Sequence, residues 1–219
     1  MRVGIVYTST TPELIETVNT ELKKQLGEDV EFLNYEDPSI LAEVRDAGFV
    51  TAGAAARLVT MFMQAVQDGA EVVLNCCSSV GEVADAAVSI GKFTGVPIVR
   101  IDEEMCREAV RLGARIGVLA TLPTTLEPTK HTIERVAREL GKQVTLADGL
   151  VEGAFGVDQE QFKALLGKTA EQIRDHFESG IYGLCRNVLK RNIWNSGCVQ
   201  SAIWRSSSSK CVGGKRISI

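Results

Sequence analysis

The sequence predicts an α/β protein of two similar lobes, each with a mainly parallel sheet flanked by helices. Three observations support this fold class. Short apolar strands alternate with amphipathic helices, the N-terminal motif RVGIVYTSTT returns later as RIGVLATLPTT, and 45% of the 219 residues are hydrophobic. Alternating strands and helices favour a parallel sheet covered on both faces. A chain of this length and composition buries a core in one large or two small domains.

The predicted elements alternate in regular order along the first half of the chain. Residues 2–8 form an apolar run typical of a buried strand, and residues 12–26 carry a helical pattern that Gly27 ends. The elements that follow are a strand near 30–35, a helix over 50–68, a strand over 71–75, a helix over 80–93, a strand over 97–101 and a helix over 103–112. We therefore expect parallel strands whose carboxyl ends share one edge.

The second half of the chain repeats the beginning of the first at an offset of 113 residues, Arg115 matching Arg2. The match continues downstream, where RVARELGKQVTLA at 135–147 corresponds to ELKKQLGEDVEFL at 21–33. Each of these segments is a predicted helix that ends in Leu-Gly and leads into a β-rich run. An agreement that extends through strand, loop, helix and helix stop indicates two similar α/β lobes.

The tail breaks this pattern. It has no strand or helix rhythm, contains both tryptophans and ends in SSSSKCVGGKRISI. A disordered end is one interpretation. A frameshift is the other, because suitable codons for residues 192–204, read one base later, spell Tyr-Gly-Ile-Pro-Val-Val-Ser-Ser-Pro-Arg-Phe-Gly, a pattern typical of ordered structure. We predict an N-terminal lobe over 1–100, an incomplete C-terminal lobe over 101–176 and an anomalous, frameshifted tail over 177–219.

Charge and composition exclude several classes of function. The chain has 24 Lys plus Arg against 28 Asp plus Glu, which leaves no basic surplus for a nucleic acid. No run approaches the roughly 20 apolar residues of a membrane span, and no signal-peptide pattern is present, so we expect a cytoplasmic protein. The six cysteines lack the spacing of a zinc site, and no dinucleotide-binding glycine pattern occurs. Neither a metal nor a cofactor is expected.

The residues best suited to chemistry are Asn75, Cys76, Cys77, Ser78 and Ser79, which connect a predicted strand to a predicted helix. Parallel sheets bind their ligands at this edge. A helix N-terminus favours a thiolate and can hold a carboxylate. Adjacent side chains point in different directions, so at most one cysteine faces a cleft, and Cys77 is the candidate because Ser78 follows it. The alternative is that both cysteines only pack the turn.

Polar loops follow the first strand of each predicted lobe. Their hydroxyls are candidates for binding a carboxylate, although such residues also serve as turn and helix-cap residues. These residues are Thr8, Ser9, Thr10 and Thr11 in the first loop and Thr121, Thr124 and Thr125 in the second. His131 and His176 are expected on helix surfaces, and Asp85 is expected to be a carboxylate that is solvated or favoured by the helix dipole, rather than a base.

The segments VLNCCSSVGEVAD and GVLATLPTT resemble the aspartate/glutamate/hydantoin racemase superfamily over about residues 1–176. The resemblance implies an active site in the cleft between the lobes, an isomerase that works without pyridoxal phosphate, and a homodimer. It implies that Cys77 moves the α-proton of a small carboxylate substrate, either an amino acid such as Asp or Glu or a hydantoin. The residues implied in substrate binding are Thr8, Ser9, Asn75, Ser78, Ser79, Thr121 and Thr124.

The sequence departs from that family in ways that keep two alternatives open. The repeat predicts a second catalytic cysteine near position 190, where the chain has Lys190, and the nearest thiol is Cys185. The first loop has Thr8 and Ser9, whereas members that racemise acidic amino acids commonly carry an acidic residue there. A one-cysteine site favours a decarboxylase or lyase of the arylmalonate decarboxylase type. A non-catalytic binder of small carboxylates is the second alternative.

Overall fold

The computed structural model describes residues 1–176 and 201–206 of the chain. Its described part is an α/β structure with two sheets, as the sequence predicts. The strands are β1 (Arg2–Tyr7), β2 (Glu31–Glu36), β3 (Val72–Asn75), β4 (Ile98–Arg100), β5 (Arg115–Ala120), β6 (Thr145–Leu150) and β7 (Ser201–Ser206). The helices are α1 (Pro12–Leu26), α2 (Pro38–Ala47), α3 (Ala52–Gln67), α4 (Gly81–Thr94), α5 (Glu103–Leu112), α6 (Pro123–Glu139) and α7 (Gln159–His176).

The first sheet is parallel throughout, with strand order β2-β1-β3-β4. Strand β1 is central and almost fully buried, because apolar helices cover both of its faces. Val6 of β1 lies opposite Asn75 of β3, and Asn75 lies opposite Arg100 of β4. The carboxyl ends of these three strands therefore meet at one edge of the sheet.

The second sheet repeats the beginning of the first. Strand β6 pairs in parallel with β5 as β2 pairs with β1, with Arg115 opposite Thr145 and Arg2 opposite Glu31. Helix α6 follows β5 as α1 follows β1. The repeat found in the sequence is thus present in the structure. The lobe boundaries at residues 100 and 176 stay a prediction.

Strand β7 is the described element that departs from the repeat. It pairs with β5 in the position that β3 occupies beside β1, but it runs antiparallel, with Ala120 opposite Ser201. No strand is predicted there from the sequence, so this strand is a correction. Residues 177–200 and 207–219, including Cys185 and Lys190, lie outside the described residues, and the frameshift stays a hypothesis.

Helix α2 and the turn before α4 are absent from the sequence-based prediction. Helix α2 nevertheless has clear end signals, since Asp37 caps its first turn, Pro38 begins it and Gly48 ends it with a positive φ of 79°. A single 3₁₀ turn over Ser78–Val80 separates β3 from α4. No helix among the described residues has both the length and the apolar character to cross a membrane.

Candidate active site

The carboxyl edges of the two sheets face each other across a few hydroxyl groups. In the first sheet β3 leads into the 3₁₀ turn, and in the second β5 leads into α6. The Ser79 Oγ lies 2.8 Å from the Thr125 Oγ1 and 3.5 Å from the Thr124 Oγ1. Ser79 and Thr125 are both buried. The turn that carries Cys77 is therefore held directly against the beginning of α6. We call this contact of Ser79 with Thr124 and Thr125 the junction.

Cys76 and Cys77 lie on opposite sides of the first sheet. Cys76 is fully buried in a cluster that contains Ile5, Tyr7 and Leu14, between β1 and α1. Cys77 is 3% exposed and packs in a different cluster, between the 3₁₀ turn and the helices on the other face. Cys76 packs against the sheet, and Cys77 lies beside the junction. Successive side chains of a strand point to opposite faces, which explains why the two cysteines are separated.

The Cys77 thiol has opposing influences on its ionisation. Burial raises its pKa, whereas the Thr8 hydroxyl and the N–H groups of Ser79 and Val80 lower it. No hydrogen bond of normal geometry joins the side chain to these groups, but they lie close enough to favour a thiolate. The net direction is upward, so a helical N-terminus does not by itself lower the pKa of this thiol, contrary to the expectation from sequence.

Four buried polar atoms on the segments that meet near this thiol have no hydrogen-bond partner among the described residues. They are the Thr8 Oγ1, the Asn75 Oδ1, the Ser78 Oγ and the Thr121 Oγ1. The Asn75 Nδ2 donates to the Cys77 carbonyl at 2.9 Å, which fixes its Oδ1 as a free acceptor. Buried polar atoms without partners are rare and costly. A polar ligand can satisfy this acceptor and these three hydroxyls, which have no partner among the described residues.

Of the predicted residues in the loop after β1, some lie at the candidate site and others only stabilise the fold. Thr8 is fully buried beside Cys77, and Ser9 is half-buried next to it in the chain. Thr10 donates a hydrogen bond to Glu36 at 3.0 Å, and the Thr11 side chain caps α1. The structure thus brings Thr8, with the residues of the 3₁₀ turn, to the junction. Thr10 and Thr11 have structural roles.

A buried ion pair between Arg100 and Asp102 lies beneath the turn and is not predicted from the sequence. Arg100 forms a bidentate pair with Asp102 and a second pair with Asp85. Asp85 is therefore an ion-pair partner of Arg100 and Arg135, which corrects the expectation of a carboxylate that is only solvated and leaves the effect of the helix dipole untested. An arginine in the predicted strand PIVRI is a usable signal, because a charge in a buried strand needs a partner.

Other features of the structure lie away from the junction. A groove of about 680 Å³ runs between α1 and β2, with Asn19, Lys23 and Phe32 among its lining residues, and does not reach Cys77. His131 is exposed, as predicted, and its Nδ1 lies 2.5 Å from Glu82. No group of three or more potential metal ligands occurs within residues 1–176 and 201–206. The side chain of His176 lies outside the described residues.

Comparison with known proteins identifies relatives of this arrangement. Residues 3–181 match the family model described as Asp/Glu/Hydantoin racemase. A candidate Asp/Glu racemase from Yersinia pestis has a TM-score of 0.54 at 18% identity over 89% of this chain and 90% of that one. Allantoin racemase from Klebsiella pneumoniae has a TM-score of 0.52 at 17% identity over 82% and 71%. No curated protein sequence matches the chain. The two structures establish the fold.

Proposed function

Because the chain belongs to the Asp/Glu/hydantoin racemase family, we propose that it is an isomerase that inverts a carbon beside a carboxyl or carbonyl group, with the Cys77 thiolate as the base and no cofactor. The observation that carries the proposal is the junction itself. Cys77 lies at the start of a helical turn, beside Thr8, and the segments that meet there carry buried polar atoms with no partner in the described part of the chain. We include a cytoplasmic location in the proposal, as the free thiols Cys76, Cys77 and Cys106 favour a reducing compartment.

The reaction begins with removal of the proton on the substrate α-carbon. The Cys77 thiolate takes this proton and becomes a thiol, and the electron pair of the C–H bond moves into the adjacent carbonyl, whose oxygen gains negative charge. Prearranged donors at that oxygen lower the barrier. The hydroxyls of Ser78 and Thr121 suit this role, because both are buried donors without partners among the described residues.

The polar groups at the junction also favour a kind of substrate. The Asn75 Oδ1 can accept a hydrogen bond from an N–H group next to the reacting carbon, as in an α-amino acid or a hydantoin ring. The hydroxyls of Ser78 and Thr121 can donate to the carboxylate or ring carbonyl. The set combines one acceptor with two donors, which fits a compact nitrogen-containing carbonyl compound. We propose an amino acid or a hydantoin as the substrate class.

A second candidate function rests on the number of thiols at the junction. Cys77 is the thiol that the described residues bring there, since Cys106 packs in the core between α5 and β5. Inversion by two bases needs a proton donor on the opposite face of the carbon. A single thiol suits a reaction that returns a proton to one face, as when a malonate loses carbon dioxide. We therefore keep a one-thiol decarboxylase as the alternative.

The deciding experiment follows α-proton loss by NMR in deuterium oxide, with a panel of L-amino acids, hydantoins and malonates. We expect exchange with one amino acid or hydantoin, loss of exchange in Cys77→Ala, and full exchange in Cys76→Ala. The Cys76 variant is the matched control, because it removes the neighbouring thiol from the opposite side of the sheet.

Each other outcome of this experiment has a definite meaning. Carbon dioxide release from a malonate that depends on Cys77 would establish the decarboxylase. Exchange that survives Cys77→Ala would overturn the assignment of the base. Binding of a carboxylate without exchange by the wild-type protein would overturn the enzyme proposal in favour of a binder. The chirality of the product, measured afterwards, separates one-base from two-base chemistry.

A further inference from the structure

Arg100 is a buried cation whose guanidinium is fully engaged by two carboxylates. Its Nε and Nη2 donate to the two oxygens of Asp102 at 2.9 and 2.8 Å, and its Nη1 donates to Asp85 at 2.8 Å. The Arg100 side chain is 2% exposed and that of Asp102 is 1% exposed. Burying charges is costly unless their geometry is good, and a bidentate pair fixes geometry as well as charge.

The guanidinium packs directly against the backbone of the segment that carries Cys77. A Cβ built on Gly81 would lie 2.2 Å from the Arg100 Cζ, so glycine is required for this approach. Gly81 ends the 3₁₀ turn and begins α4. Arg100 is also opposite Asn75 in the sheet. Arg100 thus contacts Gly81, where the Cys77 turn ends, and lies beside Asn75, just before the turn begins.

The same ion pairs extend to α6, the helix that follows β5 of the second sheet. The Asp85 Oδ1 lies 3.6 Å from the Arg135 Nη2 of α6, and Arg135 pairs in turn with Glu103 at 3.0 Å. Charges therefore alternate from Asp102 through Arg100 and Asp85 to Arg135. This row ends on the helix whose first turn contacts Ser79 through Thr125. The ion pairs and the hydroxyl contact join the same two parts of the molecule.

We propose that Arg100 and Asp102 are positioning residues that set the geometry and the electrostatic potential of the Cys77 turn, and that Asp85 connects them to α6. The inference rests on the proposed function in taking Cys77 as the base. Among the charged groups, Asp102 acts on this thiol, and Cys77 in turn raises the pKa of the neighbouring Cys76. Helix α6 meets the turn through the hydroxyls of Thr124 and Thr125 at Ser79, and its charged Arg135 pairs with Asp85 and Glu103.

The negative charge of Asp102 raises the pKa of Cys77, in the same direction as burial. The carboxylates keep Arg100 charged, because their ion pairs raise its pKa even though burial lowers it. Replacing either carboxylate by an amide leaves excess positive charge beside the turn. That change favours the thiolate.

The test is a pH titration of thiolate absorbance, taken as the difference between each protein and the same protein carrying Cys77→Ser. We expect Asp102→Asn to lower the midpoint by about one pH unit, and Asp85→Asn to lower it by less. Glu82→Gln is the matched control, because Glu82 is on the same helix but pairs with the exposed His131. Its midpoint should equal that of the wild type.

The kinetic part of the test separates positioning from binding. We expect Asp102→Asn to lower kcat for α-proton exchange at least about tenfold while KM stays within about twofold, because a displaced thiol affects reaction more than substrate binding. Asp85→Asn provides the same test if Asp102→Asn fails to fold, since the Asp85 side chain is 29% exposed. Cooperative thermal unfolding checks the fold of each variant.

The outcomes distinguish this inference from the proposed function. Folded Asp85→Asn and Asp102→Asn proteins that titrate as the wild type and keep its kcat would overturn the positioning role. An equal shift in Glu82→Gln would also overturn it, because any charge change on α4 would then have the same effect. If the wild-type protein exchanges no substrate and the midpoints of the variants still shift, the electrostatic role of the pair is supported and the proposed function is overturned.

Discussion

At the scale of single residues, the two adjacent cysteines show how position decides chemistry. Burial raises the pKa of both thiols, but only for Cys77 do nearby N–H groups and a hydroxyl oppose that effect. Cys76 is surrounded by Ile5, Tyr7 and Leu14. Cys77 can therefore ionise at a lower cost, and substrate that adds donors around the sulfur would reduce the cost further.

The raised pKa of Cys77 predicts how the rate of α-proton exchange depends on pH. The thiol form dominates at neutral pH, so the reactive thiolate increases about tenfold for each pH unit until the pKa is reached. We expect kcat/KM to rise from neutral pH and to level off above the usual thiol value of about 8.5. Exchange rates measured across this range check the prediction, and a profile that is flat from neutral pH upward would contradict it.

The location of Cys77 can be predicted from the sequence, but its ionisation cannot. The chain order Asn75 to Ser79 after a strand predicts the location of Cys77, because the carboxyl edge of a parallel sheet follows from the alternation of strands and helices. The ionisation of Cys77 cannot be predicted in this way, since it depends on how completely α6 covers the turn. The partners of Arg100 also come from distant parts of the chain, which local pattern does not reveal.

At the scale of secondary structure elements, the helices and strands follow from end signals and periodicity. Helix α1 has its predicted bounds, and α5 likewise begins and ends where the pattern predicts. Helix α2 carries Asp37 before Pro38 and Gly48 after its end, signals that suffice to predict it. The 3₁₀ turn between β3 and α4 has no such signal. Its geometry depends on contacts with Arg100 and Thr125, which are tertiary.

Close packing of β1 against α3 predicts the effect of a glycine substitution. A Cβ at Gly4 would lie 2.8 Å from the Ala65 Cβ and 3.2 Å from the Ala70 Cβ, and neither neighbour can rotate away. We expect Gly4→Ala to lower the free energy of unfolding by about 1–3 kcal/mol. Gly167→Ala is the control, because a Cβ there meets nothing within 4 Å inside α7.

The control has an expected result of its own. Alanine is about 0.5–1 kcal/mol better than glycine inside a helix, so Gly167→Ala should stabilise the protein. Urea denaturation of the wild type and both variants gives the three free energies. Equal destabilisation by the two substitutions would show that the spacing between β1 and α3 is not the cause.

At the scale of the whole molecule, the three thiols that are buried among the described residues link stability to pH. Burial raises the pKa values of Cys76, Cys77 and Cys106 in the folded protein. In the unfolded chain these thiols ionise near the usual value of about 8.5, so above it the unfolded chain binds fewer protons than the folded one. The free energy of unfolding therefore falls as pH rises through that region, by up to about 1.4 kcal/mol per pH unit and thiol.

Denaturation between neutral pH and about pH 10 measures this slope, below the range where tyrosines contribute strongly. We expect Cys76→Ala to remove about a third of the part of the slope that comes from the buried thiols of residues 1–176, because it removes one of three. The comparison corrects for lysines and other groups, which are the same in both proteins. An unchanged slope in Cys76→Ala would mean that the buried thiols do not control alkaline stability.

The two sheets differ in the direction of the strand beside their central strand, which is β3 in the first sheet and β7 in the second. Beside β1, the parallel strand β3 brings its carboxyl end and then Cys77 to the junction. Beside β5, the antiparallel strand β7 instead brings its amino end, Ser201, to the corresponding edge. A repeat that otherwise extends through strand, helix and strand predicts a parallel strand there, and a frameshift before β7 would account for the difference.

Restoring the displaced reading frame over residues 192–204 should therefore improve the second lobe. We expect the restored chain to form a parallel strand beside β5, to have a higher Tm by about 2–4 °C for each kcal/mol gained, and to exchange α-protons faster than the chain as sequenced. Thermal unfolding and exchange of the two purified proteins check this prediction. Resequencing of the gene from independent isolates provides a separate test. An intact frame there, with equal Tm and activity in both proteins, would establish β7 as the native strand.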